Sequence, residues 1–92
     1  MTLPELSQLR DEIERIDRQL IQVMAERVQL ARRVGAAKRA AGLPTLDQAR
    51  EAAVIRRAVG IARELELRCD EDIRQIFWLL IGLSRRAQTE DD

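Results

Sequence analysis

From Leu6 to Ala37 the chain places a residue of one helix face every three or four positions: Leu6, Leu9, Ile13, Ile16, Leu20, Val23, Arg27, Leu30, Val34 and Ala37. The alternation of threes and fours is the period of a single helix stripe. Thr2 with Glu5 three residues on forms a capping-box pattern, and Gly42 followed by Pro44 marks the stop. A helix over 3–41 would be roughly 55–60 Å long at its rise per residue. A single domain of 92 residues does not need so long a helix. A seam with heptad spacing asks for a partner strand, and what remains of the chain is too short to cover it. The sequence therefore predicts an intertwined homodimer in which the long helices of two chains pack together.

The remainder reads as two shorter helices, over 46–66 and 70–88. The first begins around Thr45, with Gln48 in the reciprocal capping position, and its stripe runs through Val54, Ala58, Ile61 and Leu65. The second takes Asp70 as its N-cap, with Glu71 and Asp72 in the first turn, and its stripe is Ile73, Phe77, Leu80, Ser84 and Ala87 or Gln88. An acidic tail, 89–92, follows. The fold class is all-α, one domain over 1–92 with three helices per chain and a very long first helix.

Composition narrows the function classes. Sixteen basic and sixteen acidic residues cancel, which argues against a nucleic-acid binder. There is no histidine and one cysteine, Cys69, so a disulfide within the chain, an ordinary zinc site and histidine acid–base chemistry are all excluded. No metal or cofactor is expected. No run approaches the roughly 20 apolar residues of a membrane span, and no signal-peptide pattern is visible at the start, so the expected setting is the cytoplasm. An enzyme with this inventory would work by positioning and charge.

The stripes make their own exceptions visible. Arg27 and Lys38 stand on the face of the first helix that should be buried, three turns or about 16 Å apart. Asp47, Arg50 and Glu51 extend the apolar face of the second helix toward its start. Ser84 and Gln88 extend that of the third toward its end. Taken singly, each has a structural reading: a register-setting seam residue, a solvated first turn, a helix leaving the core. Taken together, three helices would be turning polar groups inward at once, and buried polar groups without partners are costly. Lys38 is the only lysine among sixteen bases, and lysine is not interchangeable with arginine where a compact point charge must fit. Arg27, Lys38, Arg50 and Arg10 against Asp47 and Glu51 leave a net charge of plus two, suited to a small dianion carrying a hydroxyl. Arg10 lies about 25 Å along the helix from Arg27, so it could join such a pocket only from the other chain.

At these residues the sequence resembles the all-helical AroQ class of chorismate mutases. The likeness spans about Leu6 to Gln88, through "LRDEIERIDRQLIQVMAERVQLARRVGAAK", "LPTLDQARE" and "FWLLIGLSRRAQ". It implies the conversion of chorismate to prephenate in aromatic amino acid biosynthesis. It implies that Arg27 and the partner chain's Arg10 bind carboxylates, and that Lys38 and Gln88 donate to the ether oxygen. Glu51 and the backbone near Asp47 would hold the ring hydroxyl, Arg50 would support a carboxylate and orient Glu51, and Ser84 would line the carboxylate end. Lys38, Gln88 and Arg27 would be the catalytic residues. Alternatives on the same fold are an isochorismate–pyruvate lyase and a mutase of 4-amino-4-deoxychorismate. An alternative of another class is a non-catalytic helical dimerisation module.

Overall fold

The computed structural model describes residues 3–90, which form three helices: α1 (Leu3–Ala41), α2 (Gln48–Glu64) and α3 (Asp70–Gln88). No strand occurs among the described residues. The fold class is therefore all-α, as expected. The molecule measures 59 × 29 × 16 Å, its long axis matching the length of α1. None of these helices is long and apolar enough to cross a membrane.

Helix α3 packs against both α1 and α2, while α1 and α2 do not pack directly on one another. The space between α1 and α2, floored by α3, is what becomes the functional cavity. The core lies on the α2–α3 side, where Ala58, Val59, Ala62 and Ile73 are buried and Phe77 and Cys69 pack against them. On the α1 side the buried residues are Ala31 and Gly35. These sit beside the expected stripe, not on it. Small residues let α3 approach closely, whereas Leu30 and Val34 stay 55% and 46% exposed. Along α2, Val54 and Ala58 are buried as the stripe predicts. Ile61 and Leu65 are exposed, their places in the core taken by Val59 and Ala62.

The first half of α1 stands free of the rest of the chain. Every residue from Ser7 to Glu26 is exposed. Leu9, Ile13, Ile16, Leu20 and Val23 thus face outward in a single chain.

The helix ends differ in part from expectation. The Thr2 cap lies outside the described residues. Gly42 ends α1 at φ 70°, with Leu43 N–H donating to the Lys38 carbonyl (2.8 Å) and Gly42 N–H to that of Arg39 (3.2 Å). That paired closure is the Schellman arrangement, and glycine adopts its left-handed conformation without steric cost. Helix α2 starts later than 46, because Asp47 and not Thr45 is its cap: Asp47 Oδ1 accepts from the Arg50 N–H at 3.0 Å. Gln48 is then the first helical residue and has no reciprocal capping role. The same helix ends at Glu64, short of 66, and Glu66 closes it at φ 61°. Helix α3 has Cys69 at its cap position, and Asp70 is instead the first helical residue, paired with Arg63 across the α2–α3 turn.

Candidate functional site

The loop after α1 returns the chain so that the start of α2 faces the end of α1. Helix α3 then runs beneath both. A cavity of about 390 Å³ results, within the range of small-ligand sites. Its polar lining is Arg27 and Lys38 from α1, Asp47, Arg50 and Glu51 from the start of α2, Arg57 from its middle, and Ser84 and Gln88 from α3. Leu30, Ala31, Val34, Val54 and Ile81 supply its apolar wall. A larger depression at Arg63, Arg68 and Asp70 is of another kind, since Arg63 and Asp70 are already paired with each other.

The polar side chains are held in two groups. Arg27 Nη1 donates to the Leu80 carbonyl at 3.2 Å and to Ser84 Oγ. Burial, and then the like charge of Arg57, lower the pKa of Arg27 from its ordinary value. Two guanidiniums that repel across a cavity make a seat for an anion. In the second group, Lys38 Nζ donates to Gln88 Oε1 at 2.7 Å and to the Thr45 carbonyl at 2.8 Å. With its oxygen engaged, Gln88 keeps its amide Nε2 as donor. The Gln88 backbone is fixed too, its carbonyl accepting from Arg39 Nη1 at 2.6 Å.

Gly35 sets how near α3 can come. A Cβ there would run into the Gln88 carbonyl oxygen and lie 2.6 Å from the Gln88 Cα. Only a glycine lets the two backbones meet at this point.

Glu51 is oriented from α3. Its carboxylate accepts from Arg85 Nε at 2.9 Å and from Arg85 Nη2 at 2.6 Å. The resemblance implied that Arg50 would orient it, but the partner is Arg85, and Arg50 donates its backbone N–H to Asp47 Oδ1. The Glu51 pKa lies below the usual carboxylate value. The Arg85 hydrogen bond is the main cause, and burial opposes it.

Of the residues singled out from the sequence, Arg27, Lys38, Asp47, Arg50, Glu51, Ser84 and Gln88 line this one cavity. Arg10 does not; it is exposed on the free half of α1. Two residues escaped the sequence reading. Arg57 was detectable, lying two turns beyond Arg50 on the same face of α2. Arg85 was not, because the residue after Ser84 projects about 100° away around the helix and gives no sign of reaching α2.

A family model described as Chorismate mutase type II matches residues 9–89. The chain belongs to this family. It is 35% identical over 63 residues to the bifunctional chorismate mutase/prephenate dehydratase of Aquifex aeolicus, covering 68% of this chain and 17% of that protein. It is 32% identical over 83 residues to a 3-dehydroquinate dehydratase of Pyrobaculum aerophilum, covering 90% of this chain and 24% of that protein. The chain thus spans a quarter or less of the curated relatives it matches. A conserved hypothetical protein from Pyrococcus furiosus has the same fold, with a TM-score of 0.73 and 32% identity over 91% of this chain and 95% of its own. For a chorismate mutase family member, the cavity is the natural place to look for the chemistry.

Proposed function

We propose that this chain isomerises chorismate to prephenate. The observation that carries the reading is the pairing of Lys38 with Gln88 at 2.7 Å, on the rim of a cavity whose other cations are Arg27, Arg50 and Arg57. Four cations against two carboxylates, Asp47 and Glu51, leave the lining at plus two, a match for a dianion. We take the mutase activity of the Aquifex relative over the dehydratase activity of the Pyrobaculum one because the family match runs through nearly the whole chain.

The reaction is a concerted [3,3] rearrangement. One C–O bond breaks as one C–C bond forms, and no atom, electron pair or proton leaves the molecule. It needs the substrate folded into a compact chair-like geometry. Arg27, with Arg57 across the cavity from it, holds one carboxylate, and Glu51 accepts from the ring hydroxyl. As the C–O bond opens, negative charge grows on the ether oxygen, and Lys38 Nζ and Gln88 Nε2 are the donors that meet it. Donors fixed before the reaction stabilise the transition state more than the ground state. A millionfold acceleration needs roughly 8 kcal/mol, and one well-placed donor supplies about 3–4 kcal/mol.

The working unit we propose is a homodimer. The exposed stripe from Leu9 to Val23 supports it, since a monomer rarely leaves so long an apolar seam to water and a helix with no packed face is marginal on its own. The partner's Arg10 then completes the carboxylate site. The cytoplasm suits this reading, with Cys69 having no partner to bridge to.

Incubating the purified chain separately with chorismate, isochorismate and 4-amino-4-deoxychorismate tests the assignment. Prephenate from chorismate is the expected result. Pyruvate and salicylate from isochorismate, with chorismate untouched, would instead establish the lyase.

A further inference from the structure

Glu51 depends on α3 more than on its own helix for its orientation. Both its oxygens are taken up by Arg85, through Nε at 2.9 Å and Nη2 at 2.6 Å. Such fork-on-fork pairing fixes the plane of a carboxylate as well as its position. The Glu51 side chain is 17% exposed and that of Arg85 39%. Behind the guanidinium stands an aromatic ring: the Arg85 Cζ lies 5.5 Å from the Trp78 ring centroid, within cation–π range. Neither Arg85 nor Trp78 lines the cavity. The three residues form a row running from the outside of α3 inward, with the carboxylate at the cavity end.

We propose that Arg85, seated over Trp78, is a positioning residue that fixes Glu51 as the hydrogen-bond acceptor for the ring hydroxyl of the substrate. This deepens the mutase reading and rests on it. An ionised carboxylate can only accept, so the hydroxyl must donate, and that sets the hydroxyl's orientation. Three charged groups face Glu51: Arg85 from α3, Lys38 from α1 and Asp47 from the cap of α2. Arg85 and Lys38 favour the ionised form, while burial and Asp47 oppose it. Without Arg85 the main influence that holds the Glu51 pKa down is lost, so the carboxylate takes up a proton at higher pH than in the wild type, and the acid would compete with the hydroxyl as a donor.

The test measures kcat and KM for chorismate across about pH 4–8, in the wild type, Arg85→Ala, Arg85→Lys, Trp78→Leu, Glu51→Gln and the Arg85→Ala/Glu51→Gln double variant. Arg85→Ala should lower kcat/KM by roughly tenfold and move the acidic limb of the profile to higher pH. Arg85→Lys should restore the limb but only part of the rate, because an ammonium supplies the charge without the fork. Trp78→Leu should act in the same direction and more weakly. In the double variant the loss should not exceed that of Glu51→Gln alone. A wild-type profile and rate in Arg85→Ala, or losses that add in full, would overturn the proposal. If Arg85→Ala does not fold, Arg85→Lys and Trp78→Leu carry the test. A carbon-13 titration of the Glu51 carboxyl, run without substrate, should move upward in Arg85→Ala and stay near the wild type in Arg85→Lys, and an unchanged titration in Arg85→Ala would also overturn the proposal. Should the wild type leave chorismate untouched, the mutase reading falls, while this titration still decides whether Arg85 governs Glu51.

Discussion

At the scale of single residues, Lys38 is the most exposed to test. Its ammonium has three donors, two of which are used on Gln88 Oε1 and the Thr45 carbonyl. The third is free for a substrate oxygen. Lys38→Ala should cut kcat by at least ~100-fold and change KM less, as measured by prephenate formation. A loss below about tenfold would remove Lys38 from the breaking bond. Gln88 donates without needing a proton, so the rate should hold from neutral into mildly alkaline pH. A steep fall between about pH 5 and 8 would contradict that assignment. At the acid side Glu51 governs. Its folded pKa lies below the ordinary carboxylate value, so the stability contributed by its pair with Arg85 is present above that ordinary value and is lost as pH falls through the folded one. Thermal melts on acidification should show that loss in the wild type and not in Glu51→Gln. Much of this site was legible beforehand, because a charged residue on a periodic stripe stands out against its neighbours. Arg85 was not legible, since its role depends on where α3 crosses α2, which no local pattern encodes.

At the scale of helices, two glycines carry opposite expectations. Gly35 lies where α1 meets the Gln88 backbone, and a Cβ there has no flexible side chain to displace. Gly35→Ala should therefore force α3 outward, costing about 1–3 kcal/mol as overpacking does, and should reduce turnover by moving Gln88 away from Lys38. Gly60, exposed on α2, has nothing within 4 Å of where its Cβ would be. Gly60→Ala should raise stability by up to about 1 kcal/mol. Paired denaturant titrations of the two variants check both signs. The existence of all three helices followed from periodicity alone, but the buried side of α1 did not. Counting large apolar residues points to Leu30 and Val34, whereas the contact within the chain uses Ala31 and Gly35, one residue further on. Close helix crossings select small residues, and a hydrophobic stripe marks instead the face that still wants a partner. The start of α2 was displaced for a similar reason: Thr45, Asp47 and Gln48 all fit capping patterns, and only the loop geometry chooses Asp47.

At the scale of the whole molecule, the free half of α1 decides what the functional unit is. In one chain Arg10 sits among exposed residues, away from the cavity, and the seam from Leu9 to Val23 faces water. A dimer that covers the seam would bring the partner's Arg10 to each cavity. Leu20→Glu, placing a charge in that seam, should yield a monomer by sedimentation and abolish turnover. A complementation experiment is sharper, because it separates a shared site from mere dimerisation. Arg10→Ala and Lys38→Ala should each be nearly inactive alone. In a mixed dimer, the Arg10→Ala chain keeps an intact Lys38 cavity and receives a normal Arg10 from its partner, so one site is complete and the other lacks both groups. Random pairing makes half of the dimers mixed, so co-refolding equal amounts should restore about a quarter of the wild-type activity. Two sites each built within a single chain would restore nothing, whatever the oligomeric state. Recovery near a quarter thus requires both that the chains pair and that Arg10 crosses the interface.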